Sequence, residues 1–426
     1  MDKLKFTGLG ACQEVGRSSF LIDFGPKIIL DRGLKITSDG AEAPLPVKTN
    51  IDAAIISHAH LDHSGDLPSL FNEGAPITFL TSETLEIAEL LWHDTLKIAK
   101  FEGKPANYTK QEIEKAKKFA FPIEYKKRLR ASKDFDIEFL QAGHILGSAL
   151  TKLYFKNKTL LYTGDFKVKD SKLLPDADLG KETVDYVIIE STYGDREHAP
   201  RKEEEKKFIK SVKRTIESNG IALLPSFAVG RSEELAELLY ENNLDFPIYF
   251  DGMGQKAAKI SLNHPDKLRD PKKHKMSLKR VKWIKSQKDR INALKKPCAI
   301  ITTAGMLAGG PAMFYLERIA KDSNSSILFT GYQVEGTPGR HLIEHGTIQL
   351  PEKEIPSSLT VEKFDFSGHA SQDEMLYALK KWSPEKIVLV HGDEEVIPVF
   401  KEKIESVLGI DTIVPVAGKT IEIDTL

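Results

Sequence analysis

Three histidines and an aspartate occupy one hexapeptide, His58-Ala59-His60-Leu61-Asp62-His63. Neutral imidazole nitrogens and carboxylates are donors that zinc accepts, and a packed core has little use for four such groups side by side. Alternation lets His58 and His60 point one way, while a turn at Leu61 carries Asp62 and His63 toward a second centre. Two metals held roughly 3.5 to 4 Å apart clamp both the attacking and the leaving oxygen of a phosphoryl displacement. Further ligands are expected where apolar runs end. His144 follows Phe139-Leu140-Gln141-Ala142-Gly143, Asp165 follows Leu160-Leu161-Tyr162-Thr163-Gly164, and His391 follows Ile387-Val388-Leu389-Val390. With the hexapeptide they complete two three-residue ligand sets and a bridging carboxylate. Asp31, after Ile28-Ile29-Leu30, is placed to orient a ligating imidazole from behind. His93, His198, His264, His274, His341 and His345 lack this setting and read as surface or packing residues.

Such ligands work together only if several strands present them at one edge, and in layered α/β proteins sites collect at the carboxyl ends of strands. The hexapeptide follows the apolar run Ile51-Asp52-Ala53-Ala54-Ile55-Ile56. Strands are predicted at 20–22, 28–30, 53–56, 77–80, 137–140, 152–155, 159–162 and 187–189. A charged helix over 203–220, a strand over 221–224 and a helix over 232–240 follow, then strands at 298–302 and 327–330. This middle part reads as a doubly wound α/β pattern, distinct from the strand-rich first half. Strands at 363–366 and 386–390, after a turn at Ile355-Pro356-Ser357-Ser358, resemble the first half again.

At 426 residues the chain has room for two or three domains. Its 41% hydrophobic and 29% charged residues are ordinary for a soluble globular protein, and no stretch approaches the roughly 18 apolar residues of a membrane span. The first residues carry no secretory signal. Two cysteines, Cys12 and Cys298, cannot build a disulfide framework and point to the cytoplasm. Cys298 reads as a buried strand residue rather than a nucleophile.

The 61 basic and 62 acidic residues nearly cancel, which on its face argues against nucleic acid. The charge is segregated, however. Between Lys256 and Lys296 there are 15 Lys and Arg against Asp266, Asp270 and Asp289, a local charge of 15 − 3 = +12. Leu278, Val281, Ile284, Ile291 and Leu294 recur at helical spacing, leaving Lys279, Arg280, Lys282 and Lys285 off the buried stripe. A solvated, heat-adapted face and an electrostatic track for a polyanion both suit this pattern.

At the pattern His58-x-His60-x-Asp62-His63, then His144, then Asp165, the chain resembles the metallo-β-lactamase superfamily. It resembles in particular the branch with an inserted β-CASP domain, through Ile189-Glu190-Ser191-Thr192-Tyr193-Gly194, Phe366-Ser367-Gly368-His369-Ala370 and Val390-His391-Gly392-Asp393. Gly10-Ala11-Cys12-Gln13-Glu14-Val15-Gly16-Arg17-Ser18, Pro225-Ser226-Phe227-Ala228-Val229-Gly230-Arg231 and Gly331-Tyr332-Gln333-Val334-Glu335-Gly336-Thr337 are similar to the cleavage and polyadenylation specificity factor endonuclease and its archaeal and bacterial relatives. The resemblance implies an α/β fold, an αββα metallo-β-lactamase sandwich with an inserted doubly wound β-CASP domain. The expected division is 1–192 and 339–426 for the sandwich and 193–338 for the insertion. It is expected to be a short form, without amino-terminal RNA-binding KH domains.

The same resemblance implies a zinc-dependent ribonuclease of RNA processing, 3′-end formation or decay, cutting internally and open to 5′ to 3′ trimming. Of two Zn2+ ions, one falls to His58, His60 and His144 and the other to Asp62, His63 and His391, with Asp165 bridging. The catalytic set is His369, Glu190 and Asp62: a metal lowers the pKa of water from 15.7 to roughly 7, and His369, held by Glu190, is the expected proton donor to the leaving 3′ oxygen. Arg231, Ser367 and the turn containing Gly305 and Gly309 are expected phosphate contacts. RNA is the expected partner, no membrane is involved, and the sequence allows a homodimer without requiring one. A small-molecule metallo-hydrolase of the thioesterase or lactamase type leaves the insertion of about 145 residues unexplained. A non-catalytic RNA-binding scaffold leaves seven filled ligand positions unexplained.

Overall fold

The computed structural model describes residues 3–37, 40–350 and 353–425. The chain divides into two compact units, Met1–Ser171 with Pro175–Glu197 and Gly368–Leu426, and Lys172–Leu174 with His198–Ser367.

The first unit holds two seven-stranded sheets. One runs in the order Thr420–Thr425, Lys3–Gly10, Ser19–Asp23, Lys27–Leu30, Ala53–Ile55, Ile77–Leu80, Ala120–Pro122. The other runs Thr412–Ile413, Lys386–Val390, Tyr186–Glu190, Lys158–Tyr162, Ala149–Phe155, Phe135–Gln141, Leu129–Arg130. Alternation along these strands gives each sheet an apolar inner face. Phe6, Phe20, Phe24, Ile28 and Ile55 of the first sheet pack with Phe135, Leu153, Phe155, Tyr162 and Ile188 of the second, and the Phe24 and Phe155 rings stack with centroids 4.3 Å apart. On the outer face of the second sheet, Leu150, Leu161, Val187, Ile189 and Leu389 meet Met375, Leu379 and Trp382 of the helix Gln372–Trp382 and Phe400 of the helix Val396–Leu408. The helix Ser82–Glu102 accompanies the first sheet. Its Thr81 cap accepts from the Thr84 amide and Gly103 closes it at φ 67°. Layers of helix, sheet, sheet and helix are thus in place, as expected.

The second unit contains a fully parallel six-stranded sheet in the order Lys282–Trp283, Ile248–Asp251, Cys298–Thr302, Ile221–Pro225, Ser326–Phe329, Thr360–Lys363. Its central strands are buried at every residue, which is what helices on both faces require. Phe208, Val212, Leu235 and Leu239 cover one face, and Tyr315, Leu316, Ile319 and Leu342 the other. The doubly wound expectation describes this unit.

Three local expectations differ from the structure. The strand expected over 363–366 is Thr360–Lys363, because its register is set by pairing with Ser326–Phe329, and Phe364 and Phe366 turn into the core instead. That edge strand also keeps residues 339–367 with the parallel sheet, so the first unit resumes at Gly368 rather than at 339. The helical stripe over 278–294 belongs to separate elements. The helix Pro271–Arg280 ends at Val281, which is extended at φ −75° and ψ 148°; a short strand, Lys282–Trp283, and a second helix, Gln287–Ala293, follow. Leu278, Val281 and Ile284 are buried through both helix and strand, whereas Ile291 is exposed. Among the described residues no helix is long and apolar enough to cross a membrane.

Candidate metal centre

Every expected metal ligand sits at or just beyond a strand end of the first unit. The strand Ala53–Ile55 ends before the hexapeptide, and one turn of helix, Leu61–Ser64, reverses Asp62 and His63. His144 lies past Phe135–Gln141, Asp165 past Lys158–Tyr162, and His391 directly after Lys386–Val390. Asp31 and His391 have φ of 56° and 52°, a region non-glycine residues seldom occupy and which concentrates at functional sites. Gly164, at φ 50°, lets the chain bend toward Asp165, since a Cβ there would meet Ser57 Cβ at 2.5 Å.

Two groups of donors converge. Ligand atoms of His58, His60, His144 and Asp165 all lie within 4.8 Å of one another, and so do those of Asp62, His63, Asp165 and His391. Asp165 belongs to both. Its Oδ2 is 3.6 Å from His58 Nε2 and 3.7 Å from His144 Nε2, and its Oδ1 is 3.2 Å from His63 Nε2 and 3.3 Å from His391 Nδ1. His60 Nδ1 and His144 Nε2 are 3.0 Å apart. His391 Nε2 is 3.3 Å from Asp62 Oδ2. His58 Nε2 and Asp165 Oδ1 are buried without any hydrogen-bond partner. A buried polar atom left unpaired is costly, and a cation between these donors would satisfy both.

Around the first group of donors the electrostatics agree with that use, and around the second they favour positive charge. Burial holds the His58, His60 and His144 imidazoles below their ordinary range, hence neutral and able to ligate. Burial opposes charge on His63, yet Asp165, Asp62 and Asp31 outweigh it and push that imidazole well above its ordinary value. Burial likewise opposes charge on Asp165, but His63, His391 and His369 hold its carboxyl well below the usual range.

A second ring of contacts fixes the orientations. Fully buried Asp31 accepts from His63 Nδ1 at 2.7 Å, Ser57 Oγ at 2.7 Å and Tyr162 Oη at 2.5 Å on Oδ2, and from the Ser57 amide at 2.7 Å on Oδ1. His144 Nδ1 is 2.8 Å from the Gly368 carbonyl. Glu190 ends its strand, and its Oε2 lies 2.9 Å from His369 Nδ1 while its Oε1 accepts from the Phe166 amide at 2.8 Å. Burial opposes charge on His369, but Glu190 and Asp165 raise it to about 9. Thr192, not expected, donates to Glu190 Oε2 at 2.6 Å and lies 3.3 Å from His391 Nδ1. It stands two residues from Glu190 in sequence. Nothing in the spacing marks Ser57 or Tyr162.

Arg231, Ser367, Gly305 and Gly309 all lie in the second unit. The Arg231 guanidinium pairs with Glu234 and donates to the Phe366 carbonyl. The Gly305 carbonyl accepts from Gln333 Nε2 at 3.1 Å, and the Gly309 amide donates to the Leu307 carbonyl at 2.9 Å. The Arg231 guanidinium and the Gly309 amide are thus already engaged within the protein. Of the histidines set aside, His274 is buried between Glu237 at 3.0 Å and Ser261 at 2.8 Å, and His198 faces Asp365 at 3.3 Å.

The chain matches three family models: the Beta-Casp domain over 234–342, the Zn-dependent metallo-hydrolase RNA specificity domain over 354–415, and the anti-Pycsar protein Apyc1 over 3–206. It is 40% identical to probable RNase MJ4 of Methanocaldococcus jannaschii over 97% of this chain and 99% of that protein. It is 34% identical to transcription termination factor FttA of the same organism, over 97% of this chain and 70% of that one. To RNase aCSPSF2 of Saccharolobus solfataricus it is 32% identical, over 97% and 84%. A crystal structure of a protein of unknown function from Enterococcus faecalis shares the fold with a TM-score of 0.63 at 13% identity, covering 99% of this chain and 100% of that one. With the strand-end histidines and aspartates gathered about Asp165 and the parallel-sheet unit inserted between halves of a sandwich, the chain belongs to the β-CASP ribonuclease family of the metallo-β-lactamase superfamily.

Proposed function

We propose that this chain hydrolyses RNA phosphodiester bonds with two zinc ions, one held by His58, His60 and His144, the other by Asp62, His63 and His391, with Asp165 shared. The observation that carries this reading is the convergence of two donor groups on one carboxylate whose Oδ1, like His58 Nε2, is buried without a hydrogen-bond partner. Relatives named as ribonucleases support RNA as the substrate. When bound, the metals would supply Lewis acidity and lower the pKa of water toward roughly 7.

The protein's own contribution is proton delivery and orientation. His369, raised to about 9, is protonated at neutral pH. Because Glu190 engages Nδ1, the proton passed to the leaving 3′ oxygen comes from Nε2, and the neutral imidazole left behind keeps its contact with Glu190. Asp31 holds His63 with Nε2 turned toward Asp165. Asp62 serves as ligand and adds negative charge beside His391. Arg231, Ser367, Gly305 and Gly309 belong to this reading as phosphate contacts, for which the Arg231 guanidinium and the Gly309 amide would exchange their internal partners for substrate. A cytoplasmic location completes it.

The test pairs metal content with cleavage. His369→Ala should keep its zinc and lose most activity, whereas Asp165→Ala should lose zinc. Near-normal cleavage by metal-loaded His369→Ala would remove its role as acid. A circular RNA distinguishes the modes, since only internal cutting opens it.

A further inference from the structure

The metal centre makes no use of the basic segment Lys256–Lys296, which borders an open cavity within the second unit. Leu262, Lys275, Leu278, Lys279 and Trp283 line an opening of about 500 Å3. Its floor is apolar. Leu278 is buried, and Trp283 is half-buried with its ring edge-on to Phe250 at 5.6 Å between centroids. The indole N–H donates to the Leu278 carbonyl at 2.9 Å. The polar edge of the ring is therefore engaged, and what Trp283 offers the cavity is π surface.

The rim is cationic. Lys275 and Lys279 stand one turn apart on the exposed side of the helix Pro271–Arg280, and the Lys259 ammonium lies 5.9 Å from the Trp283 centroid. Lys273 on the same helix is neutralised by Glu237 at 3.2 Å and Glu241 at 2.8 Å, but among the described residues Lys275 and Lys279 have no such partner. The arginines of the segment are committed elsewhere: Arg269 donates to the Leu174 carbonyl at 2.9 Å, Arg280 donates to the Leu244 carbonyl at 2.8 Å, and Arg290 pairs with Asp251 at 2.7 Å.

This combination selects among polyanions. Lysine serves phosphate well as a point charge, and the aromatic face favours a polyanion that carries planar rings over one of carboxylates alone. An aromatic face among ammonium groups is the chemistry that binds single-stranded nucleic acid, a base on the ring and the flanking phosphates on the cations. A duplex hides its base faces. We propose that the cavity binds single-stranded RNA, one base stacking on Trp283 and the adjoining phosphates meeting Lys275 and Lys279. The inference rests on the ribonuclease reading and adds a substrate subsite to it.

The molecule carries its own reporter. Of its three tryptophans, Trp92 and Trp382 are fully buried, so a ligand in solution can stack only on Trp283. The metal-loaded full chain is titrated with a phosphorothioate-linked oligouridine, which resists hydrolysis, and tryptophan fluorescence is followed. Saturable quenching is expected. Trp283→Leu should abolish it and weaken affinity, read by anisotropy of labelled RNA, about ten-fold. Trp283→Phe should abolish the signal but keep most of the affinity. K275Q/K279Q should reduce the slope of log affinity against log salt by about 1.4, at roughly 0.7 per single-strand phosphate contact. Lys403→Gln, on the exposed side of the helix Val396–Leu408, should change nothing.

Tight RNA binding with unchanged fluorescence and an unchanged salt slope would overturn the subsite and leave the ribonuclease reading standing. Stronger quenching by a poly-glutamate peptide than by oligouridine would overturn it in favour of an acidic protein partner. Absence of both RNA binding and cleavage in the unaltered chain would overturn the two together.

Discussion

Replacing Asp31 with asparagine tests whether the buried carboxylate governs the metal centre through one imidazole. The side chain is fully buried and its Oδ2 accepts from His63 Nδ1, Ser57 Oγ and Tyr162 Oη. Asparagine keeps the shape and one acceptor. With its carbonyl toward the Ser57 amide, its NH2 faces three donors. His63 must then accept at Nδ1 and carry its proton on Nε2, the atom aimed at Asp165, where a ligand needs a lone pair. Loss of such an orienting contact typically lowers metal affinity 10- to 100-fold, about 1.4 to 2.7 kcal/mol. The Ser57 and Tyr162 hydroxyls lose their acceptor as well. At about 1 to 3 kcal/mol for each unsatisfied buried group, the metal-free fold should weaken by about 2 to 6 kcal/mol, less whatever the hydroxyls recover by rotating. Zinc competition against a chromophoric chelator reads the first quantity and urea denaturation without metal reads the second. Nitrogen chemical shifts of His63 report its tautomer. An Asp31→Asn protein with unchanged zinc affinity and an unchanged His63 tautomer would refute the reasoning.

Other expectations follow from separate parts of the molecule. Phe155→Ala removes a fully buried ring stacked on Phe24 between the two sheets and should cost about 3 to 5 kcal/mol in urea denaturation; a loss below about 1 kcal/mol would mean the sheets close over the gap. Burial pushes the half-buried Cys12 and the fully buried Cys298 thiols up to about 12, so both stay neutral at pH 8, and iodoacetamide should label Cys298 only after denaturation. Rapid labelling of Cys298 in the native protein would contradict that burial. Stripping metal with a chelator should lower the melting temperature, and added zinc should restore it, because a ligand bound only by the folded state stabilises it, by about 4 kcal/mol at a thousand times its dissociation constant. An unchanged melt, with zinc shown to bind the folded chain, would count against the linkage.

How much was legible in the sequence depended on how local the cause was. Strands such as Lys386–Val390 and Ile221–Pro225 declare themselves through runs of apolar residues, because a strand covered on both faces has no polar side to conceal. The stripe from Leu278 to Leu294 misled because burial on a helix and burial on a neighbouring edge strand leave the same spacing in one dimension. The strand at Thr360–Lys363 was displaced for a related reason, since its register is set by a partner more than thirty residues away.

The sequence by itself marked out the candidate donors. His58, His60, Asp62, His63, His144, Asp165 and His391 are recognisable because histidines and carboxylates at strand ends are chemically conspicuous in any fold. Only the tertiary structure decided that Asp165 stands between the two groups, that Glu190 reaches His369, and that Thr192 and Tyr162 join the supporting contacts. It also decided that Arg231 is held by Glu234 and that the lysines near Trp283 surround an aromatic face. Donor identity is a property of single residues. Distance, burial and hydrogen-bond partner arise only when segments far apart in the chain are packed together, and one-dimensional spacing carries no record of them.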